Sequence, residues 1–132
     1  MSIITGSTQG IGLKTAELLV RMGARLVINS RSPQKVEATL CYLKEITPHV
    51  IGIAGDVSNY EFCLELRKFT IGSFGRIDIL INNAGYEIGS LLKEVSMKDF
   101  IDNYNCNFFS HVMLTRAFVR NLSSRNGNTK II

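Results

Sequence analysis

Apolar positions along the chain fall into two alternating patterns, short continuous runs and longer stretches with an apolar residue every three or four places. The first pattern is that of buried strands and the second that of helices with one buried side. Ser2-Ile3-Ile4 reads as a strand, glycines follow at 6, 10 and 12, and Leu13, Ala16, Leu19 and Val20 then recur at helical spacing. Gly23 ends that helix and Arg25 to Asn29 is a second strand. Ser32 supplies an N-cap and Pro33 a first helical residue, so a second helix runs to about Thr47, where Pro48 stops it. Val50 to Ala54 is a third strand. Ser58 and Glu61 have the spacing of a capping box, opening a third helix through Phe62, Leu66 and Phe69 that Gly72 and Gly75 close.

Ile77 to Ile81 is almost continuously apolar, as a parallel strand buried on both faces would be. Ser96 with Asp99 opens a long helix that carries Phe100, Tyr104, Asn107, His111, Leu114 and Phe118 on one side. Ser123 to Thr129 reads as a loop, and Lys130-Ile131-Ile132 as the start of a fifth strand. Four and a half β-α units with short connections predict an α/β fold, a doubly wound parallel sheet with helices on both faces. Ligands of such sheets bind at the carboxyl ends of the strands, where strand order reverses, so the loops after strands one to four are the places to look for function.

Composition narrows the class. A length of 132 residues with 45% hydrophobic content predicts one globular domain over 1–132. The formal charge of +4, from 15 basic and 11 acidic residues, is scattered and gives no basic stripe for nucleic acid. Cys41, Cys63 and Cys106 are odd in number, lack CxxC spacing and lie in apolar stretches. They read as buried free thiols in a reducing, cytoplasmic compartment. Met1 to Ile4 runs straight into a glycine turn and no apolar run approaches bilayer length, so neither a leader nor a membrane partner is expected.

Three loops carry the candidate chemistry. Thr5-Gly6-Ser7-Thr8-Gln9-Gly10-Ile11-Gly12 is a glycine-rich turn between a strand and a helix. Glycines allow the backbone to approach a pyrophosphate, whose charge suits the N–H groups and positive dipole end of the helix. Taken alone the pattern also fits an ordinary glycine turn. Asp56-Val57 closes strand three, where the carboxylate can accept from an adenine amino group and the valine can flank the ring, although an Asp there also suits a simple turn. Asn82-Asn83-Ala84-Gly85 closes strand four, with amides to bond neighbouring backbone and small residues to admit a ligand closely.

TGxxxGIG, the strand-three Asp-Val and NNAG, in that order, resemble the short-chain dehydrogenase/reductase family over the whole chain. The resemblance implies a Rossmann-type sheet and an NAD(P)(H)-dependent oxidoreductase. By position it implies that Gly6, Ser7, Thr8, Gly10, Ile11 and Gly12 hold the pyrophosphate and nearby ribose. Asp56 and Val57 would contact adenine, and Asn83, Ala84 and Gly85 would lie along the cofactor. Asn107 matches the family's catalytic asparagine, which helps to hold a water in a proton relay; it also fits a polar group on a helix face bonded to backbone. His49 and His111 match no family site. Strand two ends Asn29-Ser30-Arg31, with no carboxylate for a ribose 2'-hydroxyl and a guanidinium for a 2'-phosphate, which predicts preference for NADP(H) over NAD(H).

The family's carbonyl chemistry uses a tyrosine as general acid, a lysine four residues later that lowers its pKa, and a serine that steadies the carbonyl. The four tyrosines, Tyr42, Tyr60, Tyr86 and Tyr104, are followed four places on by Ile46, Leu64, Ser90 and Phe108, so these residues contain no Y-x-x-x-K. The expectation is a chain truncated at about the fifth strand, before the serine, tyrosine and lysine. Two classes of function follow: the cofactor-binding part of an oxidoreductase whose full-length form takes a small-molecule carbonyl or alcohol, or a non-catalytic nucleotide-binding or interaction protein or truncated remnant. An apolar edge strand and an uncovered sheet face would favour self-association or a homo-oligomer.

Overall fold

The computed structural model describes residues 1–123 and 129–132. Five parallel strands, β1 (Ser2–Ile4), β2 (Leu26–Ser30), β3 (Val50–Ala54), β4 (Ile79–Ile81) and β5 (Lys130–Ile131), form one sheet in the order β3-β2-β1-β4-β5. Helices α1 (Gly10–Arg21), α2 (Pro33–Lys44), α3 (Tyr60–Phe74), α4 (Met97–Tyr104) and α5 (Ser110–Ser123) fill the connections. Of the loop expected over 123–129, residues 124–128 lie outside the described residues.

Successive strand residues point to opposite faces, and here both faces are apolar because both are covered. Ile3 joins Leu66, Leu80, Leu114 and Phe118 in a core built with α3 and α5, whereas Ile4 joins Ala16, Val20, Val36 and Leu43 in a core built with α1 and α2. β2 repeats the division, with Val27 on the first side and Leu26 and Ile28 on the second. Each fully buried side chain of this size stabilises the fold by roughly 1.5–3 kcal/mol. Ile4 pairs with Ile28 on one side and Ile81 on the other, so β1, β2 and β4 bring their carboxyl ends together. Strand order reverses between β1 and β4, and the loops after β1 and β4 face each other there.

Local structure departs from the sequence pattern at four places. The cap of α3 is Asn59, whose Oδ1 accepts from the N–H of Glu61 and Phe62 at 2.9 and 3.4 Å. Ser58 is drawn away because Asp56 Oδ1 accepts both its N–H and its hydroxyl, at 2.9 and 2.7 Å. Gly75, with φ of +69°, closes α3, while Gly72 lies inside it. The helix opened by Ser96 is not continuous: a π-helical turn over Asn105–Phe109 separates α4 from α5. The extra residue of such a turn shifts the helical phase by about 100°. Phe100 and Tyr104 therefore stay exposed while Leu114 and Phe118 are buried. Finally, of the three thiols expected to be buried only Cys63 is; Cys106 is half-buried and Cys41, in α2, is exposed.

Candidate functional site

The loops after β1 to β4 enclose a cleft of about 490 Å³, within the usual range for a small-molecule site. Gly6, Thr8, Gly10, Ile11, Gly12, Arg31, Asp56, Val57, Asn83, Ala84 and Gly85 all line it. Residues scattered over the chain thus meet at one place, where the strand order reverses.

Side-chain hydrogen bonds hold these loops to one another. The Thr5 hydroxyl accepts from the N–H of Asn83 and Ala84 at 3.1 and 3.0 Å, and Asn83 Nδ2 donates to the carbonyls of Thr5 and Gly6 at 2.9 and 3.1 Å. Gly12 fits beneath this crossing: a Cβ there would lie 2.5 Å from both Asn83 Nδ2 and the Gly6 carbonyl. Asn29, buried at the end of β2, donates from Nδ2 to the carbonyls of Ile53 and Gly55 at 3.1 and 3.2 Å, tying the second loop to the third. A polar residue ending an otherwise apolar strand was the only sign of this in the sequence.

Ser7 does not sit where the resemblance implies. Its side chain is fully buried and is not on the cleft. The hydroxyl donates to the Ile4 carbonyl at 2.9 Å and accepts from the Asn29 N–H at 3.0 Å, so Ser7 anchors the glycine loop and does not face a ligand.

Of α1 to α4, only α1, whose first turn lies on the cleft, has no side-chain cap. Ser32, Asn59 and Ser96 cap α2, α3 and α4, but Gln9 makes no capping hydrogen bond to α1, and the first turn of α1 holds no acidic residue. The first N–H groups of a helix have no intrahelical acceptor, so those of Gly10, Ile11 and Gly12 suit an anion. A pyrophosphate fits that requirement.

Asn107 lies in the π-helical turn and off the cleft lining. Its Oδ1 accepts from the Tyr86 N–H at 2.9 Å and its Nδ2 donates to the Tyr86 carbonyl at 2.7 Å, pinning the chain just after NNAG. Asn103 donates to the same carbonyl at 2.7 Å. His111, which matches no family site, has Nε2 2.9 Å from the Ala84 carbonyl. A carbonyl only accepts, so Nε2 carries the proton and supports the NNAG loop from α5.

Seven cleft residues lie outside the sequence-predicted set: Gln9, Asn29, Ser30, Ser32, Lys35, Gly55 and Cys106. Cys106 reaches the cleft because the π-helical turn rotates it there. Burial raises its thiol pKa; Arg31 works against that rise and Asp56 adds to it. Among the described residues no helix is long and apolar enough to cross a membrane.

Parallel strands in the order 3-2-1-4-5, helices on both faces and a cleft at the switch point define a doubly wound, Rossmann-type α/β protein. The family model for short chain dehydrogenases matches residues 1–132, and the chain belongs to the short-chain dehydrogenase/reductase family of oxidoreductases. It is 37% identical over 117 residues to the (2S)-[(R)-hydroxy(phenyl)methyl]succinyl-CoA dehydrogenase subunit BbsD of Thauera aromatica, covering 89% of this chain and 47% of that one. Among solved structures it resembles the L-sorbose reductase of Gluconobacter frateurii complexed with NADPH and L-sorbose, with a TM-score of 0.92, 30% identity and coverage of 98% and 50% of the two chains. An alcohol dehydrogenase of Thermococcus sibiricus complexed with 5-hydroxy-NADP gives a TM-score of 0.88, 30% identity and coverage of 93% and 53%. The chain spans about half the length of the curated relatives it matches, or less.

Proposed function

We propose that residues 1–132 form one nucleotide-binding domain of an NADP(H)-dependent oxidoreductase that acts on a small-molecule carbonyl or alcohol. The observation that carries this reading is the cleft, where an uncapped helix start, a guanidinium, the Asp56-Val57 turn and the small residues of NNAG converge. In this assignment Gly6, Thr8, Gly10, Ile11 and Gly12 surround the pyrophosphate and nearby ribose. Asp56 accepts from the adenine amino group, Val57 flanks the ring, and Asn83, Ala84 and Gly85 lie along the cofactor. When bound, the cofactor would supply a hydride to a carbonyl or accept one from an alcohol, and the chain's own residues would bind and orient it. Asn107 is assigned to a water of the proton relay, for which the backbone of its turn remains, since its side chain is spent on Tyr86.

Arg31 is assigned to the 2'-phosphate. A charge-assisted hydrogen bond worth roughly 1.5–3 kcal/mol corresponds to about ten- to a hundredfold in affinity. Bound NADPH and 5-hydroxy-NADP in the two structural relatives support this choice for those proteins and, by likeness, here. Free thiols at Cys41, Cys63 and Cys106 support a reducing, cytoplasmic setting. The exposed apolar residues Phe100, Ile101, Tyr104, Phe108 and Phe109 support self-association. Calorimetric titration with NADP+ and NAD+ tests the reading: tighter NADP+ binding, lost in Arg31→Ala, is expected, and equal affinities would contradict it. Absorbance at the dihydronicotinamide band with a ketone panel separates the oxidoreductase from the non-catalytic alternative. Residues 1–132 alone are expected to bind and not to turn over.

A further inference from the structure

Arg31 is not the only cation on the cleft. Lys35, in the first turn of α2, also lines it, and its Nζ donates to Gln9 Oε1 in the glycine loop at 2.8 Å. This bond links the loop assigned to the pyrophosphate to the helix that follows Arg31. The partner is a neutral amide, so it fixes the ammonium without cancelling its charge. Asp56, the one carboxylate on the described lining, belongs to the third loop and makes no ion pair with Lys35 among the described residues. The Lys35 backbone is fixed as well, because its N–H donates to the capping Ser32 hydroxyl at 3.3 Å. The first turn of α2 has no acidic residue, and the positive end of that 12-residue helix adds charge of the same sign.

A compact ammonium and a planar guanidinium do different work. The guanidinium grips two oxygens in its plane, and the ammonium adds a point charge that can be reached from several directions. A doubly charged phosphate gains from both, whereas a ribose hydroxyl gains little from the second. We propose that Lys35, held over the cleft by Gln9, is a second specificity-determining residue that recognises the ribose 2'-phosphate together with Arg31. The inference rests on the assignment of this cleft to a dinucleotide and of Arg31 to its 2'-phosphate. Gln9 is a positioning residue: it keeps the ammonium at the glycine loop until the phosphate takes its place.

The test is calorimetric titration of the 132-residue chain with NADP+ and with NAD+, for the wild type, Lys35→Met, Lys35→Arg, Gln9→Glu and Arg31→Ala. Lys35→Met keeps the apolar stem and is expected to weaken NADP+ about tenfold while leaving NAD+ unchanged. Lys35→Arg is expected to keep most of the preference. Gln9→Glu, which neutralises the ammonium without removing it, is expected to weaken NADP+ selectively. The wild-type preference is expected to shrink as salt screens the two charges. If Lys35→Met leaves the NADP+ to NAD+ ratio unchanged while Arg31→Ala collapses it, the proposal falls and the Arg31 assignment stands. Equal losses for both nucleotides in Lys35→Met would also overturn it. A wild type without preference would overturn this inference and the NADP(H) reading together.

Discussion

Gly12→Ala adds a single carbon where the glycine loop and the NNAG loop meet the first turn of α1. The new Cβ would lie 2.5 Å from the Gly6 carbonyl oxygen, 2.5 Å from Asn83 Nδ2 and 3.0 Å from Ser7 Cα. Two of these neighbours are backbone and cannot swing aside as a side-chain tip can. Overpacking of this kind costs about 1–3 kcal/mol. Displacing Asn83 also weakens its bonds to Thr5 and Gly6, each worth about 0.5–1.5 kcal/mol net. The expected loss is about 2–6 kcal/mol against a typical domain stability of about 5–15 kcal/mol. Urea unfolding followed by circular dichroism should show a midpoint lowered by about 1 M or more, given slopes of about 1–3 kcal/mol/M for small proteins. NADP+ binding should be lost with it, because the displaced atoms carry the loop. Gly10→Ala is the control. Its φ is +55° but nothing lies within 4 Å of an added Cβ, so only a backbone cost of about 1–2 kcal/mol applies. A Gly12→Ala protein with the wild-type urea midpoint and unchanged NADP+ affinity would refute the reasoning.

Other expectations concern thiols and pH. Alkylation at pH 8 followed by peptide mass spectrometry should label exposed Cys41 quickly and Cys63 only on unfolding, since burial, with Asp56 adding to it, pushes the Cys63 pKa up to about 11. Cys106 lines the cleft, so saturating NADP+ should slow its labelling and leave Cys41 unchanged; equal slowing at both would argue against the site. Hydrogen bonds from Lys14 and then Tyr42 hold the Glu17 carboxyl below its ordinary pKa. A group whose folded pKa is lowered contributes stability that is present above its unfolded value, about 4.3, and lost as pH falls through the folded one. Glu17→Gln should flatten that acid limb of the stability curve; a curve parallel to the wild type would exclude the effect.

The strands and the cleft were legible because their signals are local. Ile3-Ile4, Ile77 to Ile81 and the glycine loop need only the period and the turn chemistry of their own segments. Relations between segments were harder to see. The bonds that hold the loops together link Thr5 to Asn83 across 78 positions, and Ser7 turns inward because β2 offers it the Asn29 N–H. A π-helical turn leaves no trace in a three-to-four-residue period, so in the sequence Phe100 and Tyr104 share one side with Leu114, whereas in the fold they are exposed and Leu114 is buried. Lys35 was invisible for the same reason as Ser7: its meaning lies in its bond to Gln9, 26 residues away.

Whether this cleft binds a dinucleotide can be read from amide chemical shifts of the labelled 132-residue chain during titration with NADP+. Saturable shifts are expected at Gly10, Ile11, Gly12, Arg31, Asp56 and Gly85, with little change at exposed residues of α2 off the cleft such as Cys41. Shifts confined to the exposed face of α4, or none at millimolar nucleotide in a folded sample, would contradict binding in the cleft.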